Sequence, residues 1–516
     1  MNQYNYKNLQ NGSDIRGVAL HGVPGEDVNL GRMETFRIIR GFLLWLATNQ
    51  KKEYEELCIS IGHDSRLSAQ TLKETIIETL LPFGVKVLDA GLASTPAMFM
   101  STLFPEYNCD GAIMITASHL PYNRNGFKFF DKKGGLNKSD ISEIISYAES
   151  DSAMASMVTN CPFGTNEPHN IPLIDTYSNH LKNKIIEEVD HPYNKLKPLQ
   201  GLKIIVDAGN GAGGFYATKV LEPLGADING SQFLNPDGNF PNHIPNPEDK
   251  TAMASISRAV VENKGDLGLI FDTDVDRSGA VDKSGNSISR NAIVAMAAAL
   301  ICDQHPNTTV VTDSITSDEL SSFLVGELGV KHLRFKRGYK NVINKAIELN
   351  ASGTDCQLAI ETSGHAAYKE NYFLDDGAYL ATKIVIKAAK LSLKGKTIGS
   401  IIQNLKQPLE SMEIRIPILS SKFSDYGDKV IELLTNWTTE NKDSFGCSLV
   451  IPNYEGVRIA FNNTQVSGWC LIRKSLHDPI MPLNIESSTK GGTKIILQHL
   501  SRFLSQFSDL DTSKLK

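Results

Sequence analysis

Leu267-Gly-Leu-Ile-Phe-Asp272-Thr-Asp274-Val-Asp276-Arg277 sets five apolar residues directly before three alternating carboxylates and an arginine. An apolar run this short reads as a strand buried on both faces, the kind that builds parallel sheets. A polar cluster immediately behind such a strand falls where open α/β sheets bind ligands, at the carboxyl ends of the strands. The pattern occurs twice more, in Gly111-Ala-Ile-Met-Ile-Thr116-Ala-Ser118-His119 and in Gln357-Leu-Ala-Ile-Glu361-Thr-Ser363-Gly-His365. Three loops are therefore expected to converge on one site.

Outward from these segments the alternation continues for about 400 residues. Further strands are expected at 57–62, 85–90, 203–207 and 308–312, beside those at 112–116, 267–271 and 357–360. Amphipathic helical stretches lie between them. Residues 71–81 put Leu72, Ile76 and Leu80 on one face, with Ser68 upstream as a start signal. Strands alternating with helices mean an α/β fold with right-handed crossovers. Turn-rich seams at 192–197 and 282–286 divide the chain into α/β blocks at 12–195, 196–290 and 291–410. Beyond 410 the texture changes: 412–419 and 457–461 look strand-like among longer helices, so a smaller α+β domain is expected over 411–516.

Composition excludes several classes of function. At roughly 150 residues per domain, 516 residues suggest three or four domains. Lys and Arg number 52 against 58 Asp and Glu, a net charge of −6, which argues against a nucleic-acid or polybasic membrane surface. The longest apolar run, 292–302, is far short of the ~20 residues that span a bilayer. Residues 1–7 carry no apolar signal core, and the seven cysteines are scattered, never spaced C-x-x-C. Reduced thiols and a cytoplasmic location are expected. The sequence leaves oligomeric state open.

The loops carry the chemistry. In an extended loop, the i, i+2, i+4 spacing of Asp272, Asp274 and Asp276 points three carboxylates the same way, an oxygen cage for a hard divalent cation such as Mg²⁺. Arg277 follows, placed for a phosphate sharing the metal. A calcium EF-hand would need Gly and Glu where Arg277 and Lys283 stand. Ser118, with His119 beside it and Lys128 ten residues on, is a candidate nucleophile or phosphate carrier, although Ala-Ser-His alone also suits a helix start. No G-x-S-x-G elbow is present.

Taken together and in order, Thr116-Ala-Ser-His-Leu120-Pro with Asn125-Gly-Phe-Lys128, Pro236-Asp-Gly-Asn-Phe-Pro-Asn-His-Ile-Pro-Asn-Pro247, the aspartate loop and Glu361-Thr-Ser-Gly-His365 resemble the α-D-phosphohexomutases, the phosphoglucomutase/phosphomannomutase family. Ser13-Asp-Ile-Arg16-Gly17, Ile61-Gly-His-Asp64-Ser-Arg66, Gly91-Leu-Ala-Ser-Thr95-Pro96 and Val206-Asp-Ala-Gly-Asn-Gly211 add to the likeness, which runs from about residue 13 to 479. The resemblance implies four domains around a central cleft, three related α/β domains and a C-terminal one. It implies phosphate moved between the 1- and 6-positions of a hexose phosphate, glucose or mannose, through a phosphoserine and a hexose 1,6-bisphosphate that also serves as activator. By the same likeness Ser118 is the phosphoserine and, with Asp272, Asp274 and Asp276, a ligand of Mg²⁺. Lys128 is the general acid/base, and Arg16, His119 and Arg277 flank the transferring group. Glu361, Ser363 and His365 form the sugar loop, Gly338 and Lys340 the loop sensing sugar orientation, and Arg473, Ser475 and His477 the phosphate loop.

The sequence also departs from the family. Leu120 and Thr273 replace a usual Asn and Gly, neither of them a ligand. The common Arg-x-Ser-Gly-Thr-Glu-Pro of the phosphate loop is here Arg473-Lys-Ser475-Leu476-His477-Asp478-Pro479, which loses a closely approaching backbone at Leu476 and a hydroxyl donor at His477. A loosened grip would let the bisphosphate escape, giving a hexose 1,6-bisphosphate synthase-like activity as one alternative. Leu-Ile-Phe-Asp272-Thr-Asp274 also resembles a haloacid-dehalogenase-type phosphatase, with Asp272 as nucleophile, but that reading leaves Ser118 and the Glu361 loop unexplained. A catalytically silent hexose-phosphate binder is a third, opposed by the presence of Ser118, Lys128 and all three aspartates.

Overall fold

The computed structural model describes residues 5–159, 167–475 and 478–515. Its contacts divide the chain into two units: Met1–Asp303 with Gln357–Gln403, and Gln304–Cys356 with Asn404–Lys516. The third α/β block is thus split between them.

In the first unit the strands expected from short apolar runs form at Cys58–His63, Lys86–Leu92, Gly111–Ile115, Ile204–Asp207 and Leu267–Phe271. Cys58–His63 runs parallel to both Lys86–Leu92 and Gly111–Ile115, as buried strands linked by helices do. The sheet is nevertheless mixed, which the sequence reading did not anticipate. Arg124–Asp131 returns antiparallel against Gly111–Ile115, and Asp14–Val18 pairs antiparallel with Arg124–Asp131. The short link 116–123 cannot cross a sheet face, so it folds back as a hairpin. Gly126 permits this edge: a Cβ there would lie 1.9 Å from the Ile15 carbonyl oxygen.

One face of this sheet is covered by the helix Arg32–Gln50, whose Ile38, Phe42 and Leu46 pack on Ile59, Ile113 and Phe129. Phe42 stacks on Phe129 with ring centroids 4.5 Å apart. The helix Ala69–Leu80 adds Leu72, Ile76 and Leu80 to the same core, each such side chain stabilising the fold by about 1.5–3 kcal/mol. Ser68 begins that helix without capping it. Its hydroxyl instead receives a hydrogen bond from Asn125 Nδ2 at 2.8 Å.

A second sheet pairs Ile204–Asp207 parallel with Leu267–Phe271, which then turns back antiparallel into Ser278–Asp282. The strand Cys356–Ile360 likewise turns back into Ala366–Tyr368, which pairs with Leu374–Asp375. Both hairpin turns carry polar clusters singled out above. The apolar run at 292–302 becomes the buried helix Asn291–Ala299, and no helix among the described residues is long and apolar enough to cross a membrane.

The second unit contains Thr309–Thr312 parallel to Lys331–Arg334, and a five-stranded antiparallel sheet in the order Glu410–Pro417, Ile480–Ser487, Ser467–Ile472, Val457–Asn462, Cys447–Leu449. Helices Phe423–Glu440 and Gly492–Leu504 cover the sheet through Val430, Leu434, Ile496 and Leu500. This is the α+β domain expected after residue 410.

Candidate active site

Ser118 follows Gly111–Ile115 and takes φ = +50°, a left-handed conformation that L-residues with a Cβ adopt rarely. Its hydroxyl donates to Asp272 Oδ2 at 3.0 Å and accepts from Arg277 Nη2 at 3.1 Å. What holds the loop is Arg66. This buried guanidinium donates through Nη2 to the carbonyls of Ser118 (2.5 Å) and Leu120 (2.6 Å), and through Nη1 to those of Pro121 (2.7 Å) and Arg124 (2.9 Å). Asp64 backs it at 3.3 Å. Four carbonyls on one planar cation over-determine the loop, which is how a strained serine persists. Sequence reasoning saw the Asp64-Ser-Arg66 segment only as a supporting likeness; the partners lie more than 50 residues away. Arg16 secures the loop's start, donating to the Thr116 carbonyl and pairing with Asp14 at 2.8 Å. His119 Nδ1 faces Arg277 Nη2 at 2.8 Å, so that nitrogen carries the lone pair and the ring is neutral.

Asp272, Asp274 and Asp276 are fully buried, and a carboxylate oxygen from each lies within 4.8 Å of the others. The convergence comes about differently from the extended geometry expected. Phe271 pairs with Ser278, so 272–277 make a tight turn, with Val275 at φ = +67° and its N–H on the Asp272 carbonyl at 3.3 Å. The turn, not strand alternation, brings the carboxylates together. Thr95 steadies it by donating its N–H to the Asp274 carbonyl (2.8 Å) and its hydroxyl to Oδ2.

Lys128, opposite Met114 on Arg124–Asp131, reaches the turn, pairing closely with Asp276 and lying 3.4 Å from Asp274. Arg277 Nε donates to Asp272 Oδ2 at 3.0 Å. Burial works against the charge on Asp276, yet Lys128, His365 and Arg277 together hold its carboxyl well below the usual carboxylate range. Burial and then the Asp276 charge push Asp272 the other way, well above it. Oδ1 of Asp274 and Oδ1 of Asp276 are buried and accept no hydrogen bond. Crowded carboxylates with spare lone pairs are the donor set a hard cation requires, so the residues fit a divalent metal.

The third loop joins them. Gly364, at φ = +93°, donates its N–H to the Glu361 carbonyl at 3.0 Å, and a Cβ on it would lie 2.6 Å from the Ser278 carbonyl oxygen. His365 bridges to Arg277 through the backbone, and its Nδ1 lies 2.8 Å from Ser363 Oγ and 3.5 Å from Glu361. Asp375, which the sequence did not reveal because Asp375-Asp376 resembles an ordinary helix start, sits buried 3.7 Å from His365 Nε2. Burial and Asp276 push its carboxyl well above the usual range. The expected convergence of three loops is observed within the first unit.

The remaining candidates belong to the second unit. Gly338 precedes the helix Tyr339–Ala351 at φ = +113°, with Lys340 in the first turn. The Arg337 N–H donates to Glu455 Oε1 at 2.9 Å, and Gly456 packs so closely on Arg473 that a Cβ would lie 2.7 Å from Arg473 Cβ. Residues 455–456 therefore touch both the 335–341 loop and the start of the phosphate loop, a link with no sequence signal. Ser475 Oγ accepts the Asp478 N–H at 3.2 Å, while Leu476 and His477 lie outside the described residues.

Three family models match the chain in succession: phosphoglucomutase/phosphomannomutase α/β/α domain I over residues 8–154, domain II over 175–285 and domain III over 289–408. Among curated proteins, the phosphomannomutase/phosphoglucomutase of Pseudomonas syringae pv. tomato is 29% identical over 435 residues, 84% of each chain. The phosphoglucomutase of Neisseria gonorrhoeae is 29% identical over 441 residues, 85% of this chain and 86% of that one. Among solved structures, a phosphoglucomutase/phosphomannomutase family protein of Burkholderia thailandensis shares the fold with a TM-score of 0.75 at 23% identity, covering 97% of both chains.

Proposed function

The chain belongs to the phosphoglucomutase/phosphomannomutase family, and from that premise we propose that Ser118 is its phosphoryl carrier. The protein is an enzyme, a phosphotransferase of the mutase kind acting on hexose phosphates. The observation that carries the finer reading is the Ser118 hydroxyl, held in a left-handed loop between Asp272 at 3.0 Å and Arg277 at 3.1 Å. A nucleophile so placed has an acceptor for its proton and a cation for the phosphoryl oxygens.

Phosphate monoesters resist hydrolysis so strongly that enzymes must speed their reactions by up to ~10²¹-fold, and a loose transition state is helped mainly by positioning and positive charge. Arg277 and Arg16 supply fixed charge at the serine. Asp272, Asp274 and Asp276, with an oxygen on Ser118, would hold Mg²⁺, which neutralises charge on the transferring group. Lys128 gives and takes the proton at the sugar hydroxyl, with Asp276 and Asp274 holding its ammonium in place. Glu361 and Ser363 grip two sugar hydroxyls, and His365 lines the same pocket. Within the second unit, Gly338 and Lys340 are assigned to sensing sugar orientation, and Arg473 and Ser475 to holding phosphate. Hexose 1,6-bisphosphate recharges Ser118 when it has lost its phosphate, and glucose or mannose phosphate is the substrate, as the relatives' names suggest. On this reading the chain is divided into domains at 12–195, 196–290, 291–410 and 411–516.

The comparisons lend the phosphatase and bisphosphate-synthase alternatives no support. A phosphatase nucleophile at Asp272 also sits poorly with an oxygen that already receives Arg277 Nε and the Ser118 hydroxyl. The test is peptide mass analysis of the purified protein with hydroxylamine treatment, alongside Ser118→Ala. An acid-stable phosphoryl group on Ser118, and a fall in turnover of several orders of magnitude with the fold retained, are expected. A hydroxylamine-labile phosphate, or a fully active Ser118→Ala enzyme, overturns the assignment.

A further inference from the structure

Two thiols meet in the sheet that carries Ser118, at the opposite end of its strands. Cys58 opens the strand Cys58–His63, and Cys109 lies just ahead of Gly111–Ile115. Backbone bonds fix the two segments side by side. The Asp110 N–H donates to the Cys58 carbonyl at 2.8 Å, and the Cys58 N–H donates to Asp110 Oδ2 at 3.0 Å. The sulfur atoms stand 3.7 Å apart. Cys109 is fully buried, whereas Cys58 is partly exposed. Lys86 pairs with Cys58 in register on the neighbouring strand, and Lys52 joins Asp110 at 2.7 Å.

We propose that Cys58 and Cys109 form a peroxide-sensitive dithiol: a hydroperoxide oxidises Cys58, Cys109 closes the disulfide, and the bond fastens the first unit against unfolding.

The two environments divide the roles. A redox-sensing cysteine needs thiolate character, access from solvent and a resolving thiol within reach. Cys58 has all three. Its hydrogen bond with Cys109, then the charges of Lys86 and Lys52, hold its thiol below the usual range against burial and Asp110. The same hydrogen bond and burial push Cys109 well above that range, so the proton of the pair stays on Cys109. Cys302 is the internal comparison. It too is partly exposed, but burial and Asp303 push its thiol up, and its Sγ faces the Ala299 carbonyl at 3.6 Å. Closing 3.7 Å to the ~2.0 Å of a disulfide asks each sulfur to move less than about 1 Å.

One hydrogen peroxide balances the reaction. The Cys58 sulfur attacks a peroxide oxygen; an S–O bond forms, the O–O bond breaks, and the released hydroxide takes the Cys58 proton as water. The Cys109 sulfur then attacks the sulfenic sulfur; the S–S bond forms, the S–O bond breaks, and hydroxide leaves with the Cys109 proton as a second water. Both sulfurs are oxidised and the peroxide is reduced. The cysteines are 51 positions apart, so the bond closes a long loop and restricts the unfolded chain.

The test treats the full-length protein with stoichiometric hydrogen peroxide, alkylates it, and maps its peptides by mass without reductant. A peptide joining Cys58 to Cys109, lighter by two hydrogen atoms than its halves, is expected, with Cys302 still alkylated. Dithiothreitol should reverse the link. In Cys109→Ser, dimedone should label Cys58; in Cys58→Ser, Cys109 should stay a thiol. The urea midpoint of the wild-type first unit should rise on oxidation and return on reduction. The wild-type map needs no variant to fold, and alanine replaces serine where near-UV circular dichroism shows a lost fold. Cys302 oxidised while Cys58 and Cys109 remain thiols overturns the proposal. Dimedone on Cys109 and not on Cys58 overturns the division of roles, and an unmoved midpoint in the linked protein overturns the stabilising one.

Discussion

Ser118 occupies a backbone region that costs of order 1–3 kcal/mol, and Arg66 is what supports it. Each of its bonds to a loop carbonyl is modest alone, yet together they fix four backbone groups around one planar fork. Lysine is a point charge and cannot copy the fork. We therefore expect Arg66→Lys to lower kcat by about 10²-fold, the loss that follows a misplacement of roughly 1 Å at a reacting atom, with KM changed far less. Phosphate occupancy of Ser118 should fall in parallel, measured by peptide mass analysis. A variant whose KM rises while kcat and Ser118 occupancy stay at wild-type values would mean that Arg66 acts on substrate binding and not on the loop.

At the scale of elements, strands were legible where a short apolar run ended in a polar cluster, as in Leu267–Phe271, which forms over the residues expected. Arg124–Asp131 was illegible because Asn125-Gly126 reads as a turn and Lys128 interrupts the apolar run. The structure explains both: Gly126 answers a close backbone approach, and Lys128 is turned toward the aspartates while Phe127 and Phe129 join the core. In the site, residues named by local motifs were legible, and those acting across the chain, Arg66, Asp375 and Glu455, were not, because a single sequence carries no signal for a contact between distant segments. The strand Lys331–Arg334 adds a test of its own. His332 hydrogen-bonds Thr312 Oγ1 at 2.8 Å and Ser321 Oγ at 3.0 Å, and burial, followed by the charges of Arg334 and Arg458, pushes its pKa down to about 3. The unfolded chain takes up that proton near pH 6.5, so the native state is fully favoured above 6.5 and loses stability as pH falls from there toward 3. The slope approaches 1.4 kcal/mol per pH unit, or about 2 kcal/mol between pH 6.5 and 5. Urea midpoints of the second unit should drop accordingly, and His332→Gln should flatten that dependence. Equal pH slopes in the two proteins would assign the acid sensitivity elsewhere.

On the scale of the whole molecule, the path of the chain matters more than any single strand. The second unit is assembled from two separate stretches, Gln304–Cys356 and Asn404–Lys516, with Gln357–Gln403 belonging to the other unit. Inside it, Arg458 is the seam. This buried guanidinium donates to the carbonyls of Ser314 (2.9 Å) and Thr316 (3.1 Å), pairs with Asp318 at 3.0 Å, and lies 3.6 Å over the Trp469 ring. Ile315 is buried against Trp469 and Leu471 in the same place. Stretch 304–356 therefore satisfies two of its carbonyls and buries Ile315 with groups from 404–516. A chain ending at residue 403 would leave those carbonyls and Ile315 facing water. Limited trypsin digestion should then cut it rapidly within 304–356, which the full chain protects. Arg458→Met is the milder version, since it keeps the stem over the ring but orphans two buried carbonyls, at about 1–3 kcal/mol each. Its proteolysis of 304–356 should lie between those of the full and shortened chains. If the shortened chain resists trypsin in 304–356 as well as the full one does, that stretch folds without its C-terminal partner, and Arg458 is an ornament to the seam and not its support.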